Sequence, residues 1–594
     1  MISNKTIPMQ KVLLINIFAV FIFLCISPSI SSGATNEQMN IDAVSIARAN
    51  TMTADPKGAS SLYWNPAALV NLPEGSMKET SLGYVHINVY METHSDPNFE
   101  GFMNTFGPQA ENPEDRDPLD GAGGTNSKNG ILQLPVINKA LPFIAAPSTG
   151  ATFRKPESRW AFANKMFVPY GGGMLNRDPN LPGYWAIEKV YQLNLRYLNP
   201  GFGYRVNDTF SVGMTATAGM TIFGLKKPTR SPNHMTALTK VLGRATKNFN
   251  IPVWSQENVG GPFYGGGIHP YRDTVLVFET DLKDYFSPAY QLGFLWQPKH
   301  YFTFGGVYMS EFKNQLYGKY KFTYGEAYRR MVDWYGSTPY LTTQAAILDL
   351  PYASVPYQSG TAHMIDYVYP QRVQLGVMVS PIKKLRLMTD LHWAEWSALD
   401  YLEFQFDQPI QALQSAKMSG HVYGSYKIKN ETGYKDTFHW SYAAEYDISK
   451  KLTFRCGYEY RKSSVEMDMF SATNMPDCHK YGIGFEIRLP KGVKIDLAYG
   501  YLTGDIYVPN DTSNNLNSLS FTKSSTSPYA GLDVYEKWTL KQVNFNITQP
   551  IPTEIDTENR KTDKLQKMKE NLKYSIQNMK DSVKNGIKKL NPFK

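Results

Sequence analysis

The sequence predicts an all-β fold, a transmembrane antiparallel β-barrel, on three observations. Hydropathy alternates with a period of two from about Ser76 to Gln549. Tight turns such as "YRVNDTF", "YDISKKL" and "LPKGVKI" alternate with long polar connections, and tyrosine or tryptophan stands near many strand ends. The whole series follows an N-terminal export signal. Alternation alone would also suit a half-buried soluble sheet. Short turns on one side, long loops on the other and aromatic girdles fit a barrel in an outer membrane. A closed barrel pairs every backbone N–H inside hydrocarbon while keeping the average sequence polar. The mean hydropathy of −0.37 over 594 residues agrees, and excludes a bundle of membrane helices.

The export signal occupies residues 1–34. Lys5 and Lys11 precede an apolar run, Val12 to Ile30, whose solid core ends at Ile26. Ser32 and Ala34 offer small residues for cleavage before Thr35. The alternative is an uncleaved anchor. Cys25 follows Leu24 rather than a small residue, which argues against a lipoprotein. Cleavage leaves Cys456 and Cys478, which either pair in an oxidising compartment or stand as two free thiols.

Residues 35–75 do not alternate. "NEQMNIDAVSIARANTMTADPKGASSLYWNPAAL" has helical spacing and many small residues, then an Asn-Pro turn in an apolar setting. Pro66 fixes its own φ and holds Asn65 out of the helical region. Buried tryptophan and proline favour a small helical plug inside the barrel over a flexible leader.

The barrel is expected over 76–550. "LTFRCGYEYR" places Leu452, Phe454, Cys456, Tyr458 and Tyr460 on one face and Thr453, Arg455, Gly457, Glu459 and Arg461 on the other. "VKIDLAYGYL" and "FHWSYAAEY" repeat the design. Arg386, Asp390, His392, Arg455 and Glu459 fall on inward faces and read as solvated by an aqueous lumen. Two long insertions read as outer loops, 88–129 and 228–271. The second holds a short helix at "MTALTKVLGRATKNF" and a glycine-rich stretch, "VGGPFYGGGIH", read as loop flexibility. Trp254, Phe263 and Tyr264 there are candidates for an apolar patch at the outer mouth; packing within the loop is the alternative.

The tail, 551–594, differs. Leu565, Met568, Leu572, Ile576, Met579, Val583, Ile587 and Leu590 form an eleven-residue repeat close to the α-helical period. It reads as an amphipathic periplasmic helix, lying on the membrane or paired with a partner helix. Of the formal charge of +9, the tail from Glu554 supplies +5 and the signal +2. The remaining body is nearly neutral, which argues against nucleic acid as a partner. No His-Glu-x-x-His, paired-cysteine spacing or Gly-x-Ser-x-Gly occurs, so neither an enzyme, a metal nor a cofactor is expected.

Four passages in order resemble the FadL/TodX-like family of outer-membrane transporters. They are the N-terminal stretch with Asn65, Pro66 and Ala67; "WAFANKMFVPYGGGM" with Pro169, Tyr170 and Gly171; "LNPGFGYRVNDTFSVGMTA"; and the late strands "LRLMTDLHWAEWSALDYLEF" and "FHWSYAAEYDISKKLTFRCGYEY", with Trp393 and Trp396. The resemblance implies about fourteen strands closed by an N-terminal hatch. It implies a monomer, inserted by the barrel assembly machinery among outer-membrane lipids, that passively admits long-chain fatty acids or other hydrophobic compounds. Cargo would land on outer loops, enter a lumen pocket and leave sideways at a kink in the third strand. Pro169 lacks an N–H, and Gly171, Gly172 and Gly173 permit a bulge, as such a break requires. The alternative is a structural or adhesin-like barrel without transport. One departure stands out. "VNFNI" (Val543–Ile547) is followed by more than forty residues, so the usual C-terminal assembly signal moves inward.

Overall fold

The computed structural model describes residues 41–551 apart from 107–114, 126–127, 130–131, 135–138, 142–143, 249–250, 254–256, 260–261, 418–422 and 521–526, with residues 566, 568–571, 573–574 and 577–578 of the tail. Fourteen strands among them form a closed antiparallel barrel. β1 is Gly75–Ser95, β2 Ile144–Arg154, β3 Trp160–Lys165 with Phe167–Leu175, β4 Lys189–Leu198 with Gly201–Arg205 and β5 Phe210–Thr229. β6 is Leu276–Lys299, β7 Phe302–Met309 with Phe312–Tyr324, β8 Tyr357–Tyr369 with Arg372–Ile382 and β9 Leu385–Ala394 with Tyr401–Phe406. β10 is Lys427–Glu431 with Thr437–Asp447, β11 Leu452–Arg461, β12 Cys478–Arg488, β13 Lys494–Val508 and β14 Leu532–Pro550. β1 closes the barrel on β14, from Met77 opposite Pro550 to Ser95 opposite Leu532.

The two faces of the wall differ as the pleat requires. On β11, Arg455, Glu459 and Arg461 are buried inside. Outward residues pair across strands into an apolar belt. Leu82 and Leu497 both lie opposite Phe545, and Tyr84 and Tyr499 both lie opposite Val543. All six are more than a third exposed in the isolated chain, which suits a surface that faces lipid. No helix among the described residues is long and apolar enough to cross a membrane. Cys456 lies in the outward set and Cys478 is buried in the inward set, so the pleat separates them and both are free.

Residues 41–72 fill the lumen near the end that carries the short turns. A helix, α1 (Ala43–Ala47), starts at Asp42, whose Oδ1 accepts Ser45 N–H at 2.7 Å, and stops where Ala49 and Asn50 take positive φ. A 3-10 turn (Gly58–Ser60), α2 (Ser61–Trp64) and a second 3-10 turn (Pro66–Asn71) follow. Trp64 and Leu62 are fully buried.

The connections differ from the sequence reading in detail. The segment read as a loop from Asn88 begins at Asp96, because β1 runs to Ser95. A short helix α3 (Pro182–Ala186) follows β3, and α4 (His234–Ala245) occupies the connection after β5. The connection between β7 and β8 folds as α5 (Glu326–Tyr335) and α6 (Pro339–Ile347). Gly265, Gly266 and Gly267 all have positive φ, and a Cβ at Gly267 would lie 2.5 Å from Lys240 N in α4. These glycines make a fixed close approach, where the sequence reading expected flexibility. The described tail residues are helical and exposed; residues 1–34 and 35–40 and most of the tail repeat lie outside the described residues.

Candidate functional site

Asn65, Pro66 and Ala67 sit against the barrel wall. Asn65 Oδ1 accepts Ala67 N–H at 3.1 Å, capping the turn that Pro66 begins. Its Nδ2 donates to Thr53 O at 2.9 Å and to Phe294 O on β6 at 3.0 Å. The wall admits the turn because Gly203, Gly213 and Gly293 lie side by side on β4, β5 and β6. A Cβ at Gly203 would stand 2.9 Å from Pro66 O, and one at Gly213 2.5 Å from Ala67 N. The track continues around the lumen. Gly305 and Gly376 pair on β7 and β8 beside Thr53 and Ala54, and Gly457 and Gly482 pair on β11 and β12 beside Arg48 and Ile46. The sequence reading passed over these glycines. Their signal was a glycine at an inward position on several strands in succession.

The inward charges hold the plug, which corrects the expectation that water solvates them. Asp390 Oδ2 accepts Met52 N–H at 2.6 Å and Thr53 N–H at 2.7 Å. Glu459 accepts from Asn50 Nδ2 at 3.1 Å and from Arg461 at 2.8 Å. Glu445 pairs with Arg48 of the plug, and it accepts from Arg455 Nε at 2.6 Å and Arg386 Nε at 2.8 Å. Glu79 on β1 accepts Ala59 N–H at 2.8 Å and pairs with Lys165 of β3. Each of these buried charges thus finds a partner, which offsets the cost of burial. His392 lies stacked on His439, with ring centroids 4.7 Å apart.

The third strand runs in two parts, Trp160–Lys165 and Phe167–Leu175. Trp160–Lys165 pairs with β2, ending at Gly150 opposite Lys165. Met166 N–H still donates to Thr149 O at 3.0 Å. Beyond it β2 continues to Ile144 on β1 alone, while Phe167–Leu175 pairs with β4. The register on β4 slips between Phe167 and Tyr170, around Pro169, which has no N–H to give to a ladder. Phe167, Tyr170 and Met174 are buried, so this half-strand has left the plain in-and-out alternation.

A cavity of about 280 Å³ lies beside that half-strand. Tyr170, Phe223, Tyr369, Trp396, Phe404 and Trp538 give it an aromatic wall, with Gly172 and Gly173 at its edge. Tyr170 stacks on Tyr369 at 4.3 Å between centroids. Lys227, near the end of β5, also lines it. No hydrogen bond or ion pair is found for its ammonium among the described residues. Gly171 makes no such contribution to the lining. Trp393, which forms a motif with the cavity residue Trp396, lies on the strand face opposite that of the buried Asp390, His392 and Ala394.

At the outer mouth Phe263 and Tyr264 pack across connections, 4.8 Å and 4.9 Å from the Trp334 ring of α5. Tyr335 and Tyr340 extend the cluster. Trp254 lies outside the described residues.

A model of the family described as outer membrane protein transport protein (OMPP1/FadL/TodX) matches residues 23–536. The chain belongs to this family. It is accordingly an outer-membrane transport protein of the FadL/TodX family, and not an enzyme. No curated protein sequence matches it significantly. Among solved structures it is similar to a Pseudomonas aeruginosa FadL homologue, at 16% identity over 87% of this chain and 99% of that one, with a TM-score of 0.57. It is also similar to the toluene transporter TodX of Pseudomonas putida (14%, 86% and 99%, 0.54) and to the toluene transporter TbuX of Ralstonia pickettii (15%, 85% and 97%, 0.51). At these identities the likeness concerns the FadL/TodX barrel itself.

Proposed function

We propose that this protein passively admits long-chain fatty acids, or closely related amphiphiles, through its lumen cavity and releases them sideways at the break in β3. One observation carries the reading: Tyr170, Gly172 and Gly173 border both the aromatic cavity and the interrupted half-strand. A structural barrel needs neither. The plug supports a sideways route, since axial passage would have to break its hydrogen bonds to β1, β6, β9, β10 and β11. An alkyl chain gains about 0.8 kcal/mol per CH₂ on leaving water, so release into the bilayer completes a downhill path.

Lys227 favours an acid over a hydrocarbon, because a lone ammonium in an aromatic cavity suits a carboxylate. A charge-assisted hydrogen bond contributes about 1.5–3 kcal/mol. Lys227→Met is therefore expected to weaken oleate binding by roughly tenfold to hundredfold while leaving toluene binding unchanged. Equal loss for both ligands, or none for oleate, overturns the acid reading. For the route, valine at both Gly172 and Gly173 is expected to lower labelled-oleate uptake several-fold in cells lacking their own transporter. Parental uptake by a normally assembled double variant would sink the sideways exit.

A further inference from the structure

Described parts of the connections at the outer mouth of the barrel pack together as a folded cap. Leu119, Trp185, Phe470, Leu516 and Tyr529, from the connections after β1, β3, β11 and β13, form one apolar layer over the cavity with Leu532 at the start of β14. Phe102, Met103, Ala237, Tyr271 and Ala530 form a second cluster in the cap. One side chain ties the parts together. Arg230, the first residue after β5, is fully buried. Its Nη1 and Nη2 donate to Asp117 Oδ1 and Oδ2 at 2.6 and 2.9 Å, and its Nε donates to Pro528 O at 2.6 Å. The guanidinium also lies 5.8 Å from the Trp185 ring of α3. Pro528 and Tyr529 are themselves cavity wall, and Tyr529 donates its hydroxyl to Pro182 O at 2.6 Å.

We infer that Arg230 is the latch of an outer gate: cargo reaches the cavity when the Asp117–Arg230–Pro528 tie opens and the cap layers part. The tie suits a latch because it joins connections to one another across the mouth, where a staple of the wall would join strands. A planar guanidinium held bidentately by one carboxylate has a defined closed geometry and a defined broken one. A second tie runs beside it, from Arg244 to Asp115 at 2.9 and 2.7 Å, with Arg244 a third exposed at the edge. The Arg244 hydrogen bond holds the Asp115 carboxyl below the ordinary carboxylate range, so this tie persists until the pH falls through that lowered value. The inference rests on the cavity being where cargo binds.

The test uses the full-length protein in intact cells, with Cys456→Ser and Cys478→Ala as background and Ala472→Cys as a probe in the cavity roof. A membrane-impermeant maleimide is expected to label the probe slowly in the parent and at least roughly tenfold faster with Arg230→Gln or Asp117→Asn. The exchanged pair Asp117→Arg with Arg230→Asp is expected to restore slow labelling, a result that general loosening of the cap would not give. Unchanged labelling in an assembled Arg230→Gln barrel overturns the latch, and so does an exchanged pair that labels as fast as the single variants. Labelling requires no transport, so the latch and the uptake reading fail separately.

Discussion

Replacing Gly213 with valine is expected to unseat the plug at a large cost in stability. The new Cβ would stand 2.5 Å from Ala67 N and closer still to the Pro66 carbonyl carbon. Both are backbone atoms, so no rotamer change relieves the clash. Asn65 pins that backbone through Thr53 O and Phe294 O, which closes off the other escape. Overpacking costs about 1–3 kcal/mol where neighbours can yield. Each hydrogen bond of Asn65 lost by a displaced turn adds about 1 kcal/mol. A loss of at least about 3 kcal/mol is therefore expected, read as a lowered transition in heat-modified gel mobility and as protease cleavage near Thr53. Gly171→Ala is the control, since its nearest neighbours would be 3.5 Å away, an ordinary contact. Parental stability in Gly213→Val would show that the turn is not seated against that glycine.

Glu445→Ala is the second large effect. Its carboxylate lies among the guanidinium groups of Arg48, Arg386 and Arg455, and Arg48 and Arg455 are buried. Removing one partner of a buried pair leaves charge uncompensated and costs about 3–5 kcal/mol. Arg455 retains Glu486 and Asp496, and Arg48 retains Asp55 at 3.2 Å, so the barrel should still assemble while the plug loosens. The double variant Arg48→Met with Glu445→Met should be less destabilised than the two single changes summed, because each removes the other's stranded charge. Strict additivity of the thermal shifts would mean that this pair does not fasten the plug.

What the sequence disclosed follows from range. Period-two alternation is local, so the strands, their inward and outward faces and the placement of Arg455 and Glu459 inside could be read directly. The Asn65-Pro66-Ala67 turn stood out because a rigid turn in an apolar setting is a local contradiction. The purpose of the inward charges was not local. Arg48 and Glu445 lie 397 residues apart in sequence, and an inward carboxylate looks the same whether it faces water or a plug. The glycine track was hidden for a similar reason, since each glycine taken alone merely weakens a strand. The cap was not legible from local sequence, because Asp117 and Arg230 meet only once the barrel has brought their connections together. Lys227 gave no signal beyond being inward, because the aromatic wall around it comes from several distant strands.

The seating of the plug on its glycine track has an electrical consequence. A lumen occupied at that level by buried backbone and side chains, with Leu62, Trp64 and Ala67 fully enclosed, is expected to block a column of water from one side of the membrane to the other. Reconstituted into a planar bilayer, the protein is expected to show no stepwise ion current at any applied voltage, and cells that carry it should gain no sensitivity to large hydrophilic antibiotics. An oily cargo would cross while the membrane stays osmotically tight.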